Sequence, residues 1–83
     1  MMTPEVLLSR IRDYDWPAMR DLAMSRDVLP EQLFLLAESG DPYVRCEVAM
    51  SPVAPAALVW DLAYLDEDLM VREVAAEVLE SRL

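Results

Sequence analysis

Asp41-Pro42-Tyr43-Val44-Arg45-Cys46-Glu47-Val48-Ala49-Met50-Ser51 is the stretch on which the fold turns. Its Asp-x-x-Val-Arg-x-x-x-Ala frame returns 27 residues later as Asp68, Val71, Arg72 and Ala76. Its closing Ala49-Met50-Ser51 repeats Ala23-Met24-Ser25, which stand 26 residues earlier. Further out, Leu36-Ala37 returns as Leu62-Ala63, and Phe34 falls opposite Trp60, an aromatic opposite an aromatic. A period in this range marks helical units, each too small to bury its own apolar face and so obliged to stack on a neighbour.

Four of the six prolines stand where helices begin, because proline is preorganised for the first helical turn. Thr3-Pro4-Glu5 opens a helix over about 4–12 with Val6, Leu7, Leu8 and Ile11 apolar. Asp15-Trp16-Pro17 opens a second over about 16–24 through Met19, Leu22 and Ala23. A third begins at Pro30-Glu31, carries Leu33, Phe34, Leu36 and Ala37, and stops near Gly40. Asp41-Pro42 caps a fourth over about 42–50, with Val44, Val48 and Ala49 inward. The stiff Ser51-Pro52-Val53-Ala54-Pro55 connector leads to a fifth over about 55–65, striped by Leu58, Leu62 and Leu65. Asp66, Glu67 or Asp68 caps the sixth, which runs to about Arg82 and whose dipole the acids complement. No segment alternates as a strand does. The pattern predicts an all-α fold, a short α-solenoid of about three stacked helix pairs, in approximate units 3–24, 25–50 and 51–82.

Composition narrows the function. With 83 residues and 55% hydrophobic content, the chain builds one small domain with a real core. Cys46 is the only cysteine, which rules out an internal disulfide and a cysteine metal cluster, predicts a cytoplasmic location, and marks Cys46 as a small packing residue. All seven basic residues are arginines set against sixteen acids, for a net charge of −9. That balance disfavours direct nucleic-acid binding and attachment to an anionic membrane, and it points to a protein partner that, if charged, is basic. No apolar stretch is long enough to cross a bilayer, and Met1-Met2-Thr3-Pro4-Glu5 lacks the charged start of a signal peptide.

Asp41-Pro42-Tyr43-Val44-Arg45 and Asp68-Leu69-Met70-Val71-Arg72 resemble the second helix of HEAT-like repeats. The shorter period, with Ser-Pro-x-x-Pro ahead of Leu-x-x-x-Leu-Ala, looks more like the leucine-rich repeat variant family, an α-solenoid distinct from the β-containing leucine-rich repeats. The resemblance covers about residues 15–79. It implies a superhelix of paired helices that serves as a scaffold for other proteins. It also implies that Asp and Arg in each second helix knit neighbouring units together. The cysteine-rich iron–sulfur segment of one family member has no counterpart here.

The i, i+4 spacing of Asp41/Arg45 and Asp68/Arg72 predicts pairing across each helix start, with an arginine doublet, Arg45 and Arg72, as the binding alternative. Asp61, Asp66, Glu67 and Asp68 form the densest acidic run, read as a solvated face or, failing that, a surface for a basic partner. A cation site needs carboxylates converging through a glycine-bearing loop, and no glycine follows Gly40. Phe34 and Trp60 read as inter-repeat core. Trp16, Tyr14 and Tyr43 stand beside turns; packing is the simpler role for them and partner anchoring the alternative. Ser25 and Ser51 fit turn-capping roles, and histidine is absent. With no phosphate cradle or nucleophile motif and no cofactor implied, the expectation is a non-catalytic protein-binding module, with Trp16, Tyr14, Tyr43, Arg45, Arg72, Asp66 and Glu67 as candidate contacts. Apolar area at an open solenoid end makes a homodimer a secondary expectation. The alternative is a small acidic inhibitor, bacterial or phage-borne, that occupies the nucleic-acid-binding site of another protein.

Overall fold

The computed structural model describes residues 3–13 and 15–82. They form six helices and no strand: α1 (Pro4–Arg12), α2 (Trp16–Met24), α3 (Pro30–Leu36), α4 (Pro42–Met50), α5 (Ala56–Leu65) and α6 (Leu69–Arg82). The all-α expectation holds, with boundaries within a residue or so of those predicted from prolines and caps. Pro55 precedes α5 as its N-cap residue, and its carbonyl accepts from Leu58 and Val59 N–H.

Local chemistry explains each start. The Thr3 hydroxyl accepts from Val6 N–H at 3.3 Å, and the Asp15 carboxylate accepts from Ala18 N–H at 3.4 Å. Asp41 takes Tyr43 and Val44 N–H at 2.8 and 3.4 Å, and Asp68 takes Met70 and Val71 N–H at 2.8 and 3.3 Å. These bonds satisfy donors that the helix itself leaves open. Leu29 has no capping side chain; instead the Gln32 side chain reaches back to its N–H at 2.9 Å. The Ser25 hydroxyl accepts from Asp27 N–H at 3.1 Å, as a turn residue should, whereas its repeat mate Ser51 has a buried hydroxyl without a partner among the described residues.

Helix α6 packs most extensively on α5 and α4, α2 packs on α4 and α1, and α3 touches α1, α4 and α2 more lightly, so that α4 lies between α2 and α6. The Cα trace spans 34 × 24 × 17 Å, its least dimension that of about two helix layers packed side by side. One apolar cluster runs through the molecule, with Leu7, Met19, Leu33, Leu36, Val44, Val48, Val59 and Val71 its largest fully buried side chains. Helix α4 is buried on most of its circumference, because it meets helices on either side.

Two expectations about packing are corrected. Phe34 and Trp60 are 46% and 54% exposed, so neither belongs to the core. Both are exposed on the helix that precedes a capping aspartate, Phe34 on α3 and Trp60 on α5, and Trp60 stacks on Tyr64 one turn later, with centroids 4.0 Å apart. Leu58 and Leu62 are buried, but the stripe ends there, since Leu65 is 77% exposed. Val6 and Leu8 are exposed, leaving Leu7 as the described apolar side chain that α1 fully buries.

Candidate functional site

Helices α2, α4 and α6 frame a groove of about 660 Å³ lined by Trp16 and Arg20, by Tyr43, Cys46, Glu47 and Met50, and by Met70 and Val74, with Asp41 at the α4 start. Each lining set follows helical spacing: Trp16 and Arg20 are one turn apart, as are Tyr43 and Glu47, Cys46 and Met50, and Met70 and Val74. Trp16 is 44% and Tyr43 65% exposed, so neither ring is packed in the core. Arg20 and Glu47 stand 3.9 Å apart between α2 and α4, at the limit of an ion pair. Methionine and aromatic side chains at such a surface supply adaptable apolar contact.

Cys46 faces this groove but is buried. Burial first, then the carboxylates of Asp68, Glu47 and Asp66, push its thiol above the ordinary value of 9.0, against the lowering influence of Arg45. A thiol held in that direction is protonated at neutral pH and is a poor nucleophile.

The other candidates are placed differently. Arg45 is buried; its Nε and Nη2 donate to Asp66 at 2.8 and 3.2 Å, and its Nη1 donates to the Ser39 carbonyl at 2.7 Å. The expected Asp41/Arg45 pairing is therefore corrected: Asp41 serves the helix start, and Arg45 crosses to the following unit. Arg72 does not take Asp68 either; its Nη1 donates to the Asp66 carbonyl at 3.0 Å. Asp66 is held by Arg45 and by the Asp68 N–H at 2.9 Å, and Glu67 is exposed beside it. Tyr14 lies outside the described residues. Trp16 and Tyr43 are thus brought together in one groove, while Arg45, Asp66 and Arg72 belong to a separate network between α4 and α6.

Sequence reasoning did not single out Arg20, Glu47, Met50 or Met70 as groove residues. Met50 and Met70 were legible only as packing, and the pairing of Arg20 with Glu47 depends on how two helices are set side by side. Among the described residues, no three His, Cys, Asp or Glu side chains stand where they could hold a metal ion, and no helix is long and apolar enough to cross a membrane. No family model, curated protein or solved structure matches the chain.

Proposed function

We propose that the chain is a non-catalytic protein-interaction module, a short stack of helix pairs of the leucine-rich-repeat-variant or HEAT-like kind, whose α2–α4–α6 groove receives a segment of a partner protein. The observation that carries this is the convergence of Trp16 and Tyr43, both substantially exposed, on one apolar groove with Met50 and Met70. Large rings that a fold leaves accessible at the centre of a concave patch are the residues most often found to dominate protein binding. The net charge of −9 favours a partner segment that combines apolar side chains with Lys or Arg. The single buried, protonated thiol fits a reducing, cytoplasmic setting and supplies no reactive group.

The acidic-inhibitor alternative needs carboxylates spaced along one face. Exposed acids occur instead on the first helices of the pairs (Glu5, Glu31, Asp61) and on the second helices (Asp21, Glu73, Glu77), so no observation favours it over the groove. A pull-down from the source cell with wild type and with a Trp16→Ala, Tyr43→Ala double variant tests the proposal. A protein retained by wild type and lost from a double variant of unchanged helical circular dichroism supports it. Equal retention of every bound protein by both overturns it.

A further inference from the structure

Counting from the three capping aspartates, Asp15, Asp41 and Asp68, shows how the second helix of each pair is shared between its neighbours. The third and seventh residues after the cap are Ala18 and Leu22, Val44 and Val48, and Val71 and Ala75. The last four are wholly buried, but Ala18 and Leu22 are only half-buried. The fourth and eighth residues are Met19 and Ala23, Arg45 and Ala49, and Arg72 and Ala76. Here the first four are buried, Arg72 is half-buried and Ala76 is exposed. Because Arg45 reaches forward to Asp66, the fourth-and-eighth stripe faces the following unit. The third-and-seventh stripe, about 100° round the helix, is complete in the two units that have a preceding neighbour within the chain and incomplete in the first. The two incompletely covered stripes are therefore the two halves of a single kind of seam.

The polar partners obey the same register. Asp66 stands two residues before its cap, where Ser39 stands before Asp41 and Asp13 before Asp15. The Ser39 hydroxyl and the Asp66 carboxylate do the same local work, accepting from Asp41 N–H at 3.1 Å and Asp68 N–H at 2.9 Å. They differ in what the preceding unit offers them. Ser39 follows neutral Met19, and Asp66 follows Arg45. Arg45 and Arg72 each donate to the carbonyl six residues back, Ser39 and Asp66 respectively. Only Arg45 has a carboxylate for its remaining donors; among the described residues none pairs with Arg72. Asp13, an exposed acid at the matching position of the first unit, follows no arginine unit within the chain. Leu65 and Leu69, both strongly exposed, add apolar area near Arg72.

We propose that the Arg72–Ala76 face of one copy docks on the Ala18–Leu22 face of a second copy, continuing the helix stack head to tail, with Arg72 donating to Asp13 of that copy as Arg45 donates to Asp66. The contact is heterologous, so each added copy leaves the same two faces open and growth continues past two. It rests on the stacked-pair reading of the fold and not on the groove, whose lining contains none of Asp13, Ala18, Leu22, Arg72 or Ala76.

Sedimentation velocity over a range of concentrations is the test, with circular dichroism confirming that each variant keeps its helices. Wild type is expected to pass from monomer through dimer to larger species. R72E and D13R each weaken association by about tenfold or more, as opposing like charges at a close contact do, and R72E/D13R in one chain restores it. A76E and A18E each block one face, and their equimolar mixture forms a dimer that grows no further, because only one intact junction is available. Wild type that stays monomeric overturns the proposal. So do single charge reversals that associate like wild type, an R72E/D13R chain that fails to regain association, or an A76E and A18E mixture that stays monomeric or grows past two.

Discussion

The α2–α4 and α4–α6 seams occupy the same place in successive units and are filled with different chemistry. Between α2 and α4 the fourth residue after the cap is Met19, 1% exposed, and among the described residues the only ion pair is the long, half-exposed Arg20–Glu47 contact outside it. Between α4 and α6 the same position is Arg45, bonded twice to Asp66, with the two side chains 8% and 6% exposed. The apolar seam gains from burying a thioether and needs no matching group. The ionic seam must recover the cost of taking two charges out of water, and it does so only in one register. In both units the residue two before the next cap matches the chemistry at the fourth position of the preceding one: neutral Ser39 follows Met19, and Asp66 follows Arg45.

The strongest way to break this contrast is Asp66→Ala. It strands a buried guanidinium and removes the acceptor for Asp68 N–H, so a loss of about 3–5 kcal/mol is expected, much of what a small domain has. Urea unfolding measures it, and a loss under about 1 kcal/mol would mean that water already screens the pair. Met19→Ala in the apolar seam should cost about 2–4 kcal/mol through lost transfer energy and a cavity, with the midpoint shift read in the same titration. A cost near zero there would show that α2 hardly depends on the core. Arg45→Met with Asp66→Ser converts the second seam to the chemistry of the first. It is expected within about 1 kcal/mol of wild type, far from the Asp66→Ala result, because replacing both members of a buried pair avoids an orphaned charge.

The smallest effect sharpens the contrast from the thiol side. Cys46 sits on α4 with Asp68, Glu47 and Asp66 raising its pKa after burial has done so. A folded value above the unfolded one means that this group's contribution to stability is complete below the unfolded pKa and is lost as pH rises towards the folded one. The folded chain should therefore lose a little stability as pH rises above about 9.0. Alkylation by iodoacetamide at pH 8 should be slower than in urea. Equal rates would show that the thiol is neither buried nor facing those carboxylates.

Much of this fold was legible because its signals are local. A proline after Asp15 or Asp41, and the acids at 66–68, act on the few N–H groups next to them, so helix starts could be placed from sequence alone. The partners of those aspartates were less legible. Spacing of i, i+4 puts Arg45 within reach of Asp41, but a carboxylate at the cap is already committed to Tyr43 and Val44 N–H, and the guanidinium goes elsewhere. Phe34 and Trp60 mark the same limit from the apolar side. Repetition says that two residues have equivalent surroundings, and it does not say whether those surroundings are protein or water. Trp16 and Tyr43 emerged as parts of one site only when neighbouring helices placed both along the same groove.

Arg82 closes a long circuit. Its Nη1 and Nη2 donate to the carbonyls of Ala54 and Ser51, at 2.8 and 3.2 Å, tying the last turn of α6 to the connector that precedes α5. The end of a helix ordinarily frays first, at almost no free-energy cost. Here fraying must release a clasp on a segment about thirty residues upstream, so the connector and both helices of the last pair should open as one cooperative unit, with amide exchange at Ala54 and through the last turn of α6 rising in step when Arg82 is replaced by alanine.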